Sequence, residues 1–353
     1  MRDSRDRKIR VLIIDDSAVI RHLLTELLKE AEDIEVVGTA QDPVFAMKKI
    51  RNLQPDVLTL DVEMPRKDGL TFLEELMDEN PLPVVMVSAL TRKGCETTLK
   101  ALELGAIDYV SKPSVDVSSR LADLGEEIIR KIRVASRSKV RRRSRGGNHK
   151  AERRSSEAMI DTTDKIVAIG ASTGGTQAIT EIITALPENI PGIVIVQHMP
   201  PMFTRSFAKR LNSLSRLDVK EAATNDRVIR GSVLIAPGNE HTAIRRNGAL
   251  YYTEVMDGPM INYVRPSVDV LFRSVAKYAG KNAVGVILTG MGEDGARGLL
   301  EMKNAGAFTI AQDEASSVVF GMPKKAIEMG AVDRVAPLEE ISKIILEHLS
   351  SRH

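Results

Sequence analysis

The sequence predicts an α/β protein with two domains, each built on a parallel sheet that helices cover. Short apolar runs alternate with amphipathic stretches through two blocks of the chain, which is the pattern of strands and helices in parallel sheets. A polar, arginine-rich segment separates the two blocks. The length of 353 residues also suits two domains, because single cores rarely grow beyond about 250 residues.

The first domain is predicted to span residues 1–135, with five strands that are each followed by a helix. Strands are expected at short apolar runs, and helices where apolar residues recur at helical spacing. The predicted strands cover 10–14, 34–37, 57–60, 83–87 and 107–110, and the predicted helices 18–30, 43–52, 70–79, 94–104 and 120–134. This alternation predicts a doubly wound, five-stranded parallel sheet.

Residues 136–163 interrupt the alternation and are predicted to form a flexible, basic linker. The segment has few large apolar residues and many Arg, Ser and Gly, so it cannot bury a core of its own. A nucleic-acid-binding arm is the alternative interpretation of such a charge run. The formal net charge of the chain is only +2, which favours a solvated tether and no nucleic-acid partner.

The second domain is predicted at residues 164–353 and returns to the alternating pattern. The predicted strands cover 165–170, 193–197, 233–236, 284–289 and 307–311, and the predicted helices 175–186, 203–214, 267–279, 295–305 and 337–349. Residues 242–255 predict a hairpin around Asn247-Gly248, a dipeptide favoured in two-residue turns. We therefore expect a second α/β domain, with a parallel sheet and an antiparallel hairpin.

The composition indicates a globular protein without a membrane segment. Hydrophobic residues make up 43% and charged residues 28% of the chain, as in soluble folded domains. No apolar run approaches the roughly 20 residues of a membrane span, and the charged start MRDSRDRKIR does not resemble a signal peptide. We therefore expect a cytoplasmic protein with no membrane insertion. The single cysteine, Cys95, excludes an internal disulfide and a multi-cysteine metal site.

Polar side chains follow the predicted strands of the first domain at one edge of its sheet. Asp15 and Asp16 follow the first strand, Asp61 the third, and Ser88 and Lys112 the fourth and fifth. Because the carboxyl ends of parallel strands meet at one crevice, these side chains should lie close together. Three carboxylates there require a hard cation, and Mg²⁺ prefers such oxygen ligands. The set can accept a phosphoryl group on a carboxylate and hold its oxygens with metal, hydroxyl and ammonium.

Four motifs at these strand ends closely resemble the receiver domain of two-component response regulators. They read VLIIDDS, TLDVEMPRKDGL, VMVSAL and YVSKP, and the similarity covers roughly residues 8–135. The resemblance implies a flavodoxin-like fold, a histidine kinase as phosphodonor and Asp61 as the phosphoacceptor. It further implies Mg²⁺ ligands at Asp15, Asp16, Asp61 and the backbone carbonyl of Glu63, phosphoryl contacts from Ser88 and Lys112, and a switch aromatic at Tyr109.

A glycine-rich turn opens the second domain, in the stretch VAIGASTGGTQAI at residues 167–179. It fits neither the Gly-x-Gly-x-x-Gly pattern of dinucleotide sites nor the Gly-Lys-Ser/Thr of phosphate-binding loops. It contains instead Gly170-x-Ser172-x-Gly174 between a predicted strand and a predicted helix. In a nucleophile elbow, small flanking residues let such a turn expose the serine hydroxyl. The turn therefore predicts Ser172 as a nucleophile.

A serine nucleophile needs a base and an orienting acid, and both are predicted at other strand ends. His198 ends the apolar run GIVIVQH, whereas His241 lies in a loop and is the alternative base. Asp294 follows another strand within GMGEDG, and its alternative role is to cap the next helix. Backbone N–H groups at Thr173 and Met291 are the candidates for an oxyanion site. The nucleophilic chemistry of this set requires no cofactor.

Three motifs of the second domain closely resemble the catalytic domain of chemotaxis protein-glutamate methylesterases. They read GASTGG, QHMP and GMGEDG, and PSVDVLF, LIAPG and AGAFTIAQD fit the same family. The resemblance implies a phosphorylation-regulated serine hydrolase with a triad of Ser172, His198 and Asp294. It implies glutamate methyl esters on chemoreceptor helices as substrates, glutamine deamidation as a second activity, and a chemotaxis-type histidine kinase. Because a flexible linker transmits no torque, the unphosphorylated receiver should inhibit the hydrolase by docking on it.

Two other functions compete with this interpretation. A receiver with a DNA-binding output would explain the basic linker, but it predicts a small helix-turn-helix or winged domain. About 190 residues of α/β pattern follow the linker instead. A cofactor-binding regulatory domain is the other alternative, and the missing dinucleotide motif counts against it.

Overall fold

The computed structural model describes residues 7–64, 68–89, 91–112, 121–138 and 165–351. They belong to two compact units, Met1–Asn148 and His149–His353. Most of the predicted linker lies outside the described residues, and its first two residues continue a helix that ends at Arg137. Within the described ranges, no helix is both long enough and apolar enough to cross a bilayer.

Five strand–helix pairs form the first unit. The strands are β1 (Ile9–Ile14), β2 (Ile34–Ala40), β3 (Val57–Asp61), β4 (Val84–Ser88) and β5 (Asp108–Ser111), and the helices are α1 (Ala18–Lys29), α2 (Pro43–Leu53), α3 (Gly69–Glu79), α4 (Arg92–Glu103) and α5 (Leu121–Arg137). The strands make one parallel sheet in the order β2-β1-β3-β4-β5. The predicted five-stranded doubly wound sheet is confirmed.

Capping residues determine where the helices of this unit begin. Ser17, Asp42, Asp68 and Thr91 each accept a hydrogen bond from a backbone N–H in the first turn of the following helix, which satisfies one of the unpaired donors there. Strands β3 and β4 are buried along their whole length, as parallel strands covered on both faces must be. The short loops between each strand end and the next cap therefore carry the polar candidate residues.

The second unit contains a larger parallel sheet and a separate hairpin. Its strands are β6 (Ile166–Ala171), β7 (Gly192–Gln197), β8 (Asp218–Glu221), β9 (Ser232–Ile235), β10 (His241–Asn247), β11 (Leu250–Met256), β12 (Ala283–Ile287), β13 (Phe308–Gln312) and β14 (Arg334–Ala336). Its helices are α6 (Gly175–Ala185), α7 (Phe203–Leu214), α8 (Val268–Tyr278), α9 (Ala296–Asn304), α10 (Met322–Glu328) and α11 (Leu338–Ser350). Seven strands pair in the order β14-β13-β12-β6-β7-β9-β8, while β10 and β11 pair antiparallel. The predicted parallel sheet with an antiparallel hairpin is confirmed.

Strand β6 lies in the middle of the large sheet, between β12 and β7. The chain order of the strands reverses there, and open parallel sheets form their active sites at such a switch point, beyond the carboxyl ends of the strands. All three strands are buried along their length, so reactive groups must come from the loops that follow them. Those loops contain Ser172, His198 and Asp294.

Two glycines shape the turn that follows β6. A Cβ atom at Gly170 would lie 2.2 Å from Val268 Cγ1, so α8 can pack this closely on β6 only if position 170 is glycine. Gly174 has a φ of +78°, a left-handed conformation that costs other residues roughly 1 kcal/mol or more. Helix α6 starts directly after it, and Ser172 lies in the tight connection between strand and helix.

The structure contains elements that the sequence pattern does not predict, namely β8, α10 and β14. Strand β8 reads DVKE and forms one edge of the large sheet, and the three-residue β14 forms the other. Short, charged edge strands discourage pairing with other chains, but they also lack the apolar alternation by which strands are recognised. The apolar pattern that predicts the central strands therefore does not predict the edge strands.

Candidate functional site

The strand-end loops of the first unit bring two buried carboxylates to one ammonium group. Lys112 Nζ lies 2.7 Å from Asp61 Oδ2 and 3.0 Å from Asp15 Oδ2. Asp16 completes a group of three carboxylates whose ligand atoms lie within 4.8 Å of one another. One ammonium cannot balance three carboxylates, and oxygen donors at this spacing suit a divalent cation such as Mg²⁺. The residues present therefore fit the metal that the receiver resemblance implies.

The pKa of Asp61 is raised chiefly because its carboxylate is buried. Burial raises the pKa of Asp61 to about 6, Lys112 opposes the rise, and the neighbouring Asp15 carboxylate adds to it. Burial also lowers the pKa of Lys112, but the two carboxylates outweigh burial and the net pKa is raised. A bound divalent cation would favour the ionised form of Asp61, which is the nucleophilic form.

The remaining receiver candidates surround the same strand ends. The Glu63 N–H donates to Asp61 Oδ1 at 3.1 Å, and the role of the Glu63 carbonyl as a metal ligand stays a prediction. Ser88 is buried at the end of β4. Tyr109 is buried on β5, where Lys131 Nζ lies 4.9 Å from the centroid of its ring, a favourable cation–π distance. The roles of Ser88 and Tyr109 in phosphoryl contact and switching likewise stay predictions.

Mg²⁺ should raise the unfolding temperature of the first unit, and the increase should be larger at about pH 7.5 than at about pH 5.5. The reason is that Asp61, with a pKa of about 6, is mostly protonated at the lower pH, and the proton competes with the metal. Differential scanning calorimetry of the full chain with and without Mg²⁺ measures the shift. Asp61→Asn should reduce both the shift and its pH dependence, and equal shifts at both pH values would contradict this metal site.

In the second unit, hydrogen bonds hold the backbone of Ser172 from several sides. Its N–H donates to Thr289 O at 3.0 Å, and its carbonyl accepts from Gly175 N–H at 2.7 Å and from the Gln197 side-chain amide at 2.9 Å. Thr289 lies shortly after β12 and Gln197 ends β7. The turn after β6 is thereby tied to both neighbouring strands, and the position of Ser172 is fixed independently of its own side chain.

His198 and Asp294 form a hydrogen-bonded pair next to this turn. His198 Nε2 lies 2.9 Å from Asp294 Oδ2, and the His198 N–H donates to the carbonyl of Ala171, the residue before the serine, at 3.1 Å. Because Asp294 engages Nε2, Nδ1 is the ring nitrogen left to act on Ser172. Among the hydrogen bonds of the described residues, none joins Ser172 Oγ to His198. Such bonds are often long in free enzymes and tighten when substrate binds.

A set of donors fixes the Asp294 carboxylate. Oδ1 accepts from the Asn262 side-chain amide at 2.9 Å and from the Ser267 hydroxyl at 2.7 Å, and Oδ2 accepts from Val268 N–H at 2.6 Å. Burial raises the pKa of Asp294, but these bonds, with that from His198 foremost, outweigh burial and leave the pKa below its usual value. Asp294 is therefore ionised at neutral pH, as the acid partner of a catalytic histidine must be.

Asp294 caps a helix, but not the helix that follows it in the sequence. Helix α9 begins after Gly295 without a side-chain cap, so the predicted alternative role is wrong in that form. Asp294 instead accepts from Val268, the first residue of α8, where the helix dipole favours an anion. Ser267 occupies the N-cap position of α8 but makes no capping bond there, and its hydroxyl points to Asp294.

The alternative base, His241, has both ring nitrogens engaged by the backbone. Nε2 lies 2.9 Å from Pro259 O, and Nδ1 accepts from Ser267 N–H at 3.2 Å. The side chain is buried at the start of β10. His241 therefore supports Ser267, which in turn contacts Asp294, and it offers no nitrogen to a substrate.

The two oxyanion candidates lie on the turns that enclose Ser172. Thr173 follows the serine in the chain. Met291 follows Gly290, where an added Cβ would lie 2.8 Å from Ser172 Cβ, so the two turns are in close contact. Binding of an oxyanion by the N–H groups of Thr173 and Met291 stays a prediction.

Sequence reasoning missed three residues that hold the candidate triad, namely Asn262, Ser267 and Gln197. Asn262 has a φ of 51°, a conformation that asparagine tolerates well, and its sequence context indicates only a turn. Ser267 precedes a helix and therefore indicates only a cap. Gln197 gave a usable signal, because a polar residue at the end of a buried apolar strand needs a hydrogen-bond partner.

The fold and the two sites define a response regulator whose second unit is a hydrolase. Residues 11–121 match the response regulator receiver domain family, and residues 167–345 match the family described as CheB methylesterase. The chain belongs to the CheB methylesterase family.

Two relatives extend this similarity over nearly the whole chain, and a solved structure matches about half of it. A curated protein-glutamate methylesterase/protein-glutamine glutaminase 1 of Pseudomonas savastanoi pv. phaseolicola is 52% identical, over 97% of this chain and 99% of the relative. One of the same name from Geobacter metallireducens is 53% identical, over 98% of this chain and 97% of the relative. The crystal structure of the Thermotoga maritima CheB methylesterase catalytic domain aligns with a TM-score of 0.52 and 44% identity, covering 53% of this chain and 100% of that chain.

Proposed function

We propose that this protein is a phosphorylation-controlled serine esterase that hydrolyses glutamate methyl esters on chemoreceptors. The observation that carries the proposal is the His198–Asp294 pair, hydrogen-bonded at 2.9 Å beside the turn of Ser172. Full-length relatives bear the name of this activity. Their names support the reaction, and the geometry of this chain supports the residues that perform it.

The chemistry divides ester hydrolysis into two acyl transfers. Ser172 Oγ attacks the ester carbonyl while His198 Nδ1 takes its proton, and Asp294 stabilises the imidazolium that results. The Thr173 and Met291 N–H groups bind the oxyanion. His198 then returns the proton to the departing methoxide, which leaves as methanol, and an acyl-enzyme remains. Water, deprotonated by His198, attacks the acyl group, and His198 returns that proton to Ser172 Oγ as it leaves, which gives the free glutamate carboxylate and regenerates the enzyme.

Deamidation of glutamine uses the same groups with a different leaving group. Ser172 attacks the side-chain amide, and His198 protonates the nitrogen so that ammonia leaves in place of methanol. The acyl-enzyme is then identical to that formed from the methyl ester, and the same hydrolysis yields glutamate. The paired activities in the names of the relatives support this second reaction.

The first unit regulates the esterase activity of the second through phosphorylation. Asp61 accepts a phosphoryl group from a histidine kinase of the chemotaxis type, and Ser88 and Lys112 contact the phosphoryl oxygens. Asp15, Asp16, Asp61 and the Glu63 carbonyl would hold Mg²⁺, which would supply positive charge to balance that of the phosphoryl group. Tyr109 reports the phosphorylated state to the surface of the unit. Because the proposed substrate is a chemoreceptor segment and the proposed phosphodonor is a histidine kinase of the chemotaxis type, we assign the protein to the cytoplasm.

The direct test is methanol release from membranes that contain methylated chemoreceptors. The full-length protein should release methanol in proportion to the receptor methyl groups, and should release ammonia from receptors with glutamine at the modified positions. The Ser172→Ala protein, assayed in parallel, provides the background. If the wild-type protein releases no methanol from receptors whose methylation has been verified, the proposed function is wrong.

A further inference from the structure

The turn at Ile261–Val264 presents an exposed tyrosine next to the candidate catalytic acid. Ile261 and Val264 exchange two backbone hydrogen bonds, of 3.1 and 3.0 Å, which makes Asn262 and Tyr263 the central residues of a two-residue turn. Both have positive φ values, 51° and 63°, as the type I′ turn requires. The Tyr263 side chain at the tip is 95% exposed.

The side chain of Asn262 ties this turn to the catalytic machinery. Its amide nitrogen donates to Asp294 Oδ1 at 2.9 Å and to Asp269 Oδ2 at 3.0 Å. The turn therefore lies at the rim of the active site, because Asp294 is the partner of His198.

The base of the turn is anchored at both ends. On the side before the turn, the carbonyl of Pro259 lies 2.9 Å from His241 Nε2. On the side after it, Arg265 bonds Asn239 Oδ1 at 2.8 Å through its guanidinium group and accepts from Asn239 N–H at 3.2 Å through its carbonyl. These hydrogen bonds restrict the backbone that carries Tyr263, which limits the conformational entropy that is lost when its side chain binds a partner.

Tyr263 contributes little to folding in this position. The left-handed conformation is unfavourable for a non-glycine residue, and a side chain that is 95% exposed recovers almost none of that cost by burial. Met260, close by on the same loop, is 64% exposed. Two large apolar side chains at the rim of an active site are the kind of feature that anchors a protein partner, and tyrosine is prominent among such anchors.

We propose that Tyr263 is a docking residue for the protein substrate, and that its ring packs on apolar side chains of the receptor segment that carries the modified glutamate. Met260 extends the same contact. The inference rests on the proposed esterase function, which makes a protein surface the substrate. The receptor segment is the expected partner because Tyr263 adjoins the candidate active site, since Asn262, the residue before it, donates a hydrogen bond to Asp294.

The test compares Tyr263→Asn with Tyr263→Phe in the full-length protein on methylated receptor membranes. Asparagine tolerates the left-handed conformation but lacks the ring, so KM should rise about tenfold while kcat stays within about twofold, as expected for a lost anchor contact. The unfolding temperature should be unchanged or higher. Tyr263→Phe keeps the ring and should behave as wild type. Leu214→Ala, which truncates an exposed side chain at the far end of α7, should also behave as wild type.

Several outcomes would overturn the inference. An unchanged KM for Tyr263→Asn would show that the ring does not contact the substrate. A lower kcat at constant KM would show that position 263 acts only through Asn262 and Asp294. A higher basal activity without phosphodonor would show that the ring contacts the first unit instead. Failure of the wild-type protein to release methanol would be different from all of these, because it would refute the esterase function itself.

Discussion

Replacing Ser172 with alanine should lower methanol release by about 10⁴- to 10⁶-fold, which is the range expected when a serine nucleophile is lost. The substitution should leave the fold intact, because the bonds that hold this residue to Thr289, Gly175 and Gln197 are all made by its backbone. Methanol release from receptor membranes gives the rate, and the circular dichroism spectrum with the unfolding temperature checks the fold. A Ser172→Ala protein with more than about a tenth of wild-type activity would exclude Ser172 as the nucleophile.

Replacing His198, the proposed base, should lower methanol release by a similar factor. His198→Ala removes the group that takes the Ser172 proton, and the double variant with Ser172→Ala should be no slower than either single one, because nucleophile and base act as a unit. His241→Gln is the matched control, since the ring nitrogens of His241 contact the backbone of Pro259 and Ser267. It should retain most of the activity. If His198→Ala stayed near wild type while His241→Gln was inactive, the base assignment would be wrong.

Much of this architecture follows from the sequence because the central elements carry strong local signals. The buried strands that precede Ser172 and His198 are continuous apolar runs, and the loops after them begin with glycine or polar residues. Since parallel strands must end at one edge of a sheet, the order of motifs along the chain was sufficient to predict which residues share that edge. The same argument predicted the cluster of Asp15, Asp61 and Lys112 in the first unit, which the structure shows as an ion-paired group.

The supporting contacts could not be predicted in this way, because they join segments that local patterns do not relate. Asn262 reaches Asp294 across 32 positions of the chain, and Ser267 does so across 27. Each residue has an adequate local explanation, as a turn or as a helix cap, which conceals its tertiary role. The edge strands β8 and β14 could not be predicted for a different reason, because strands of four and three residues are too short to show a period.

The two sites use the same sheet geometry but neutralise their carboxylates differently. Around Asp294, the hydrogen bonds from His198, Ser267 and Asn262 outweigh burial and lower the pKa, so a buried anion is stable without a metal. Around Asp61, burial and the nearby Asp15 raise the pKa to about 6 despite Lys112, so the anion is costly until a cation arrives. Asp294 is therefore ionised at neutral pH, whereas the ionisation of Asp61 depends on pH and would be favoured by a bound cation.

Asp61→Asn should abolish phosphorylation of the protein by a small phosphodonor in the presence of Mg²⁺. An acyl phosphate forms when a carboxylate oxygen attacks phosphorus, and a neutral amide has no such nucleophile. Phosphodonor should also no longer stimulate methanol release, while the basal rate should persist because the variant leaves the second unit unchanged. Incorporation of labelled phosphate and its release by hydroxylamine, which cleaves acyl phosphates, measure the modification.

Asp16→Asn is the matched control for this last experiment. It removes one carboxylate of the metal group but keeps the Asp61 nucleophile, so phosphorylation should become slower and need more Mg²⁺ without disappearing. The contrast between complete loss at position 61 and partial loss at position 16 separates the phosphoacceptor from a metal ligand. The prediction would be contradicted if the Asp61→Asn protein incorporated phosphate normally at a hydroxylamine-resistant site. The phosphoacceptor would then be another residue, and the proposed regulation through Asp61 would be wrong.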